Sequence, residues 1–201
     1  MILYLHGFRS SPSSRKATLL QQALRARGRL AEYRCPQLPA SPRQAIDAAM
    51  RLLDAEPAED VALIGSSLGG YYATWLAERV GCRAVLLNPA IRPQDDLAGH
   101  LGVQPVYSSD ASIDFRTEYL VELEAIDTRS ITRPDRYFLI AATGDNVIDY
   151  RTMTRKYAGA RQRVIEGGDH ELSNFEQYIE QVLAFCDGEV ADNINTGKGQ
   201  Q

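Results

Sequence analysis

Val61-Ala62-Leu63-Ile64-Gly65-Ser66-Ser67-Leu68-Gly69-Gly70 is the stretch whose reading decides the fold. Four apolar residues run straight into Gly-x-Ser-x-Gly with Ser67 at its centre, and an amphipathic segment, residues 71–79, follows at once. A buried-type strand, a sharp turn and a helix in that order form a nucleophile elbow. The turn crowds the backbone around its central residue, so its neighbours must lack bulk, and Gly65 and Gly69 meet that need. The arrangement sets the Ser67 hydroxyl at the C-terminal edge of a sheet, beside the positive end of a helix dipole.

On either side of this stretch, apolar runs alternate with helical periods. Residues 1–5 are a short apolar run that opens into His6-Gly7-Phe8 and a serine-rich loop. Leu19, Leu20, Ala23 and Leu24 recur at helical spacing within residues 15–27, and Gly28 ends that segment. Residues 30–34 read as a weaker strand. Ser41-Pro42-Arg43-Gln44 carries two independent helix-start signals, a capping serine with glutamine three on and a proline at the first helical position. Ile46, Ala49, Leu52 and Leu53 give that helix its buried face.

Residues 83–88 and 136–142 read as buried strands, residues 149–157 as a short helix and residues 161–165 as an edge-like strand. Ser173-Asn174-Phe175-Glu176 reads as a capping box, with Leu172 as its staple, starting a helix through Phe175, Ile179, Val182 and Leu183. Strands alternating with helices imply an α/β fold: a parallel sheet covered by helices on both faces. About six strands are expected. Right-handed crossovers and an elbow on a central strand give the spatial order 2-1-3-4-5-6.

Residues 90–134 break the alternation with Pro93, Gly99, Gly102 and Pro105, and only residues 117–126 look firmly helical. A connection this long in a small α/β domain is usually functional. It follows the strand after the elbow, where a cap or lid insertion belongs. From Gly188 the chain is polar and patternless. The expected organisation is one domain, residues 1–187, with a small cap at about 90–134 and a disordered tail at 188–201.

The chain has 201 residues, 44% hydrophobic and 24% charged, with net charge -4. That composition suits a soluble globular protein and argues against a nucleic-acid partner. Cys35, Cys82 and Cys186 are odd in number and fit no metal site or disulfide framework. They read as buried or idle thiols of a reducing compartment. No basic leader, cleavage site or apolar run of ~18 residues is evident, so the expected location is the cytoplasm, without a membrane span.

A serine hydroxyl needs a base to take its proton. Among three histidines, His170 is the best placed, in the glycine turn 167–170 after the last strand, on the same sheet edge as Ser67. His100 lies in the irregular insertion, and His6 reads as a brace for the first loop. The base needs an acceptor to fix its tautomer. Asp145 and Asp149 both follow the fifth strand. Asp149 is explained as the N-cap of the next helix, which leaves Asp145, closer to the strand end, as the acid. Backbone N–H groups of Leu68, just after the serine, and of Phe8, in the first loop, are the expected oxyanion donors. Arg9 could meet an anionic substrate group, although a solvated arginine is the simpler reading. No metal is expected.

His-Gly-Phe, Gly-Ser-Ser-Leu-Gly-Gly, Gly-Asp-Asn-Val-Ile-Asp and Gly-Gly-Asp-His-Glu, in that order, resemble the α/β-hydrolase superfamily. More narrowly, the start Ile-Leu-Tyr-Leu-His-Gly-Phe-Arg-Ser-Ser-Pro, the elbow running into Tyr-Tyr-Ala-Thr, and Leu-Asn-Pro-Ala are similar to the small bacterial YqiA-like esterases. The likeness covers about residues 1–186. It implies an α/β-hydrolase fold trimmed of the two strands that larger members carry first, and a cytoplasmic serine esterase or thioesterase without cofactor. The implied roles are Ser67 as nucleophile, Asp145 as acid and His170 as base, acting on a small-molecule ester or acyl-CoA with a short to medium acyl group. A non-catalytic binding module on the same scaffold, or another triad chemistry such as carbon–carbon bond hydrolysis or perhydrolysis, is the alternative reading.

Overall fold

A computed structural model describes residues 1–107 and 110–189. Six strands form one parallel sheet: β1 (Ile2–Leu5), β2 (Tyr33–Arg34), β3 (Ala62–Ser66), β4 (Arg83–Leu87), β7 (Tyr137–Ala142) and β8 (Arg161–Ile165). Their order is β2-β1-β3-β4-β7-β8. This is the expected 2-1-3-4-5-6, with β7 and β8 as fifth and sixth members. The two strands between them in sequence, β5 (Gly102–Pro105) and β6 (Ser112–Phe115), pair antiparallel in a separate hairpin.

The central strands are buried on both faces, so their sequences are continuous apolar runs rather than alternations. Period two then divides their side chains between two cores. Leu3, Leu5, Leu63, Leu86 and Leu139 face α2 (Pro42–Leu53), α3 (Leu68–Val80) and α6 (Tyr150–Lys156). Ile2, Tyr4, Ile64, Val85, Leu87 and Ile140 face α1 (Arg15–Ala26) and α7 (Ile179–Cys186). Helices therefore cover both faces. Ser41 caps α2 as expected, its hydroxyl accepting from Gln44 N at 3.3 Å. Burial pushes the Cys35 and Cys82 thiols up to about 11 and that of Cys186 up to about 12. All three are free thiols, protonated at neutral pH.

The turn from β3 into α3 has no room to spare. A Cβ on Gly65 would collide with the Gly69 carbonyl, and one on Gly69 with the Leu5 carbonyl on the neighbouring strand. The expected amphipathic helix is instead buried on nearly every side. Part of the 90–134 segment, α5 (Thr117–Ala125), bonds to this helix. Tyr71 Oη donates to the Leu123 carbonyl there at 2.8 Å.

Three local expectations change. Residues 30–34 are a single 3₁₀ turn, Leu30–Glu32, followed by only two strand residues. The capping box at 173–176 does not form. Ser173 gives its N–H and its hydroxyl to Asp169, and Glu176 pairs with Arg15 at 3.1 Å. With both polar groups engaged elsewhere, residues Phe175–Tyr178 wind as 3₁₀ and α7 starts at Ile179. The 90–134 segment holds the β5–β6 hairpin, α4 (Pro93–Asp96) and α5, more regular structure than the sequence pattern suggested. Of the expected tail, residues 190–201 lie outside the described residues. Gly188 and Glu189 close α7 by donating to the Phe185 and Ala184 carbonyls.

Candidate active site

In a parallel sheet every strand ends at the same edge, and the loops that leave that edge carry the candidate residues. Ser67 follows β3 with φ 53° and ψ -119°, a conformation that costs a non-glycine residue ~1–3 kcal/mol. Neighbouring backbone fixes it there. Ser67 N donates to Leu87 O at 3.0 Å, and Ser67 O accepts from Gly70 N at 2.9 Å and Ala90 N at 3.0 Å. The strain is thus held by hydrogen bonds to β4 and to the first turn of α3.

His170 Nε2 lies 3.0 Å from Ser67 Oγ, and its Nδ1 lies 2.7 Å from Asp145 Oδ2. The Asp145 side chain is fully enclosed, that of His170 nearly so. The other carboxylate oxygen, Oδ1, accepts from Val147 N at 2.8 Å and Ile148 N at 2.9 Å. With Oδ1 held by two backbone donors, Oδ2 is left to face the imidazole, which places the proton on Nδ1 and the lone pair of Nε2 towards the serine. The two loops that supply Asp145 and His170 are stitched together: Gly144 N donates to Gly167 O and Gly167 N to Thr143 Oγ1, both at 2.8 Å.

Asp149 stands apart from the histidine. It caps α6, accepting from Arg151 N at 2.9 Å, and the Arg151 guanidinium holds its carboxyl below the usual carboxylate range. His6 is buried behind the loop, its Nδ1–H donating to Gly7 O and its Nε2 accepting from Leu38 N, each at 3.0 Å. Burial pushes its pKa down, which keeps the ring neutral and able to accept. His100 is exposed and meets Phe8 edge-on, ring centres 6.0 Å apart.

Gly7 lies against the serine; a Cβ there would sit 3.3 Å from Ser67 Cβ. Neither Phe8 N nor Leu68 N donates to another described residue. The Phe8 ring packs edge-on against Phe115 of the hairpin at 5.0 Å. Arg9 is engaged by the end of β5 and the segment that follows it. Its Nε donates to Pro105 O at 2.7 Å, its carbonyl accepts from Tyr107 N at 2.7 Å, and its guanidinium covers the Tyr107 ring. A cavity of about 30 Å³ lies beside this loop, lined by Gly7, Phe8, Leu38, Leu68, Tyr72 and Ile113. A larger cavity of about 770 Å³, lined by Arg83, Arg136 and Arg161, opens at the other ends of the strands, away from Ser67. Among the described residues, no cluster of His, Cys, Asp or Glu could hold a metal ion, and no helix is long and apolar enough to cross a membrane.

Residues 1–187 match the model of an uncharacterised protein family, UPF0227. The chain belongs to that family. Relatives in the family include a Shewanella sediminis protein, 30% identical over 55% of this chain, and YcfP of Salmonella gallinarum, 25% identical over 92% of this chain and 98% of its own length. The match spans only 63% of the Shewanella sediminis protein. Among solved structures, the chain is similar to the esterase domain of a Rhodothermus marinus protein, with TM-score 0.67 and 22% identity over 93% of this chain and 86% of that one. It is similar also to Est1E of Butyrivibrio proteoclasticus bound to ferulic acid (TM-score 0.65, 13% identity, 90% and 87% coverage). Tomato methylketone synthase I, in complex with β-ketoheptanoate, shares the architecture (TM-score 0.68, 15% identity, 94% and 97% coverage). At these identities the likeness establishes the fold, and the fold is that of the α/β hydrolases. The YqiA-like assignment read from the motifs agrees with the family match.

Proposed function

We propose that this UPF0227 protein is a serine hydrolase that cleaves carboxylic esters or thioesters of short acyl groups through an acyl-enzyme. The observation that carries the reading is the unbroken chain of contacts from Ser67 Oγ through the His170 imidazole to the Asp145 carboxylate. In this mechanism Oγ attacks the acyl carbon while Nε2 takes its proton, and the imidazolium is stabilised by Asp145. Phe8 N–H and Leu68 N–H donate to the oxyanion. As the tetrahedral intermediate collapses, His170 protonates the leaving alcohol or thiol. Water, deprotonated by the same nitrogen, then releases the acid and restores Oγ–H.

Leu38, Leu68, Tyr72 and Ile113 form an apolar wall beside the proposed oxyanion site, which supports a short acyl group there. The 90–134 segment acts as the cap, resting on the Phe8–Arg9 loop through Phe115 and Tyr107. The test is a fluorophosphonate probe with mass-spectrometric mapping, combined with rates on p-nitrophenyl esters and acyl-CoAs of increasing length. Label on Ser67 and rates highest for the shortest acyl chains are expected. Folded protein that stays unlabelled overturns the reading in favour of a binding module. A preference for long chains overturns the size assignment.

A further inference from the structure

The turn that carries His170 is gripped by two side chains that never touch the imidazole. Asn88, just past the end of β4, is completely buried. Its Nδ2 donates to the carbonyls of Asp169 at 3.0 Å and His170 at 3.1 Å. Its Oδ1 accepts from Ala142 N and its own N–H donates to Ile140 O, both at 2.9 Å. One amide thus spans the gap between the end of β7, three residues before Asp145, and the loop that bears the base. From α1, Lys16 donates from Nζ to the Glu171 carbonyl at 2.7 Å and to Glu171 Oε2 at 3.1 Å. Three consecutive carbonyls, 169, 170 and 171, are therefore held by two nitrogens from separate elements.

Each device is costly. Asn88 keeps a positive φ of 42°, and the Lys16 side chain is only 6% exposed, so an ammonium is taken out of water. Burial pulls the Lys16 pKa down against the attraction of Glu171. Two expensive groups converging on one exposed-edge turn point to a requirement for accuracy at that turn, since a 1 Å misplacement of a catalytic group can cost about 10²-fold in rate. We infer that Asn88 and Lys16 are positioning residues, which clamp the 169–171 backbone so that one imidazole reaches Ser67 and Asp145 together. The inference rests on the reading of His170 as the base.

Asn88→Asp separates this role from a structural one. Aspartate keeps the size, the Oδ1 acceptor and the tolerance of positive φ, but sets an oxygen against two carbonyls. Lys16→Met removes the second grip. The variants are compared with the wild-type protein by kcat and KM on p-nitrophenyl acetate, by the rate of fluorophosphonate labelling and by thermal melting. A fall of about 10- to 100-fold in kcat and labelling rate for Asn88→Asp, with KM within about two-fold and the fold intact, is expected. Lys16→Met gives a smaller loss, and the double variant loses less than the product of the two. A folded Asn88→Asp with kcat within about two-fold of wild type, or a loss confined to KM, overturns the inference. Should Asn88→Asp fail to fold, an unchanged kcat in Lys16→Met overturns it alone. Absence of label in the wild type refutes the hydrolase reading instead. The clamp is then read without turnover from the hydrogen-bonded Nδ1–H of His170 by NMR: exchange-broadened in the variants if the clamp acts, unchanged if it does not.

Discussion

Replacing Asp145 by asparagine removes one charge and changes almost no atoms, yet the hydrogen-bond geometry predicts a large loss. The carboxylate uses its two oxygens differently. Oδ1 accepts from Val147 N and Ile148 N, and Oδ2 faces His170 Nδ1 at 2.7 Å. An amide has one acceptor oxygen, and two backbone donors claim it. The NH₂ group must then point at the imidazole and donate to Nδ1. That moves the ring proton to Nε2, which now donates to Ser67 Oγ and can no longer take its proton. The expected fall in kcat is about 10⁴-fold, ~5 kcal/mol of transition-state stabilisation, with KM little changed. Melting should stay near wild type, because both backbone donors keep their acceptor. Asp149→Asn is the matched control: asparagine caps a helix as well as aspartate does, so activity should stay within about two-fold. Turnover of p-nitrophenyl acetate, melting curves and ¹⁵N shifts of the His170 ring measure all three claims. A loss below about ten-fold for Asp145→Asn, or equal losses at both positions, would refute the reasoning.

Ser67→Ala and Ser67→Gly should both lose turnover by at least about 10⁴-fold. The glycine variant should be the more stable by ~1 kcal/mol in urea unfolding, because φ 53° strains alanine and not glycine; equal stabilities would deny the strain. Gly69→Ala drives a methyl into the Leu5 carbonyl and should destabilise the fold by more than ~3 kcal/mol, measured the same way. His6 predicts a pH effect on stability. Burial depresses its folded pKa below its ordinary value of 6.5, so the unfolded chain binds the extra proton first. Stability from this group is whole above about pH 6.5, declines as pH falls towards the folded value, and changes no further below it. Protonation also turns Nε2 into a donor facing Leu38 N–H. In His6→Gln the difference in urea midpoint between about pH 8 and about pH 5 should shrink; an unchanged difference counts against the assignment.

What the sequence revealed was whatever the chain encodes locally. The strands at 62–66, 83–87 and 137–142 are apolar on both faces and bounded by glycine, proline or charge, so burial and position could be read together. Three histidines in all made the search for a partner to Ser67 short, and cap chemistry separated Asp149 from Asp145. The misses have separate causes. Ser173 and Glu176 have the spacing of a capping box, but Asp169 and an arginine 161 residues away take them first. The β5–β6 pair is hard to read because each strand has only four residues and Gly102 and Pro105 look like breakers, although Ser112–Phe115 alternates polar and apolar residues. Nothing in the sequence marks Lys16, and only the fold brings its ammonium to the carbonyl of residue 171.

The same contrast divides the candidate site into two layers. Side chains that would do chemistry come from segments whose placement is fixed by topology: parallel strands deliver the loops after β3, β7 and β8 to one edge, however far apart they lie in sequence. Topology alone brings them only to within a loop's reach. On the proposed reading, the remaining precision comes from groups with no chemical role, namely Leu87 O on Ser67 N, the paired N–H groups on Asp145 Oδ1, and Asn88 and Lys16 on the 169–171 turn. The backbone members of this layer leave no motif, because a carbonyl or a backbone N–H is supplied by any residue, and Asn88 shows only as one letter of Leu-Asn-Pro-Ala. A scaffold of this kind can therefore keep Gly-x-Ser-x-Gly and its histidine intact and still lose its reaction through one amide in the supporting layer. Activity in relatives of this chain should accordingly follow the residue at the position of Asn88 as closely as the serine itself.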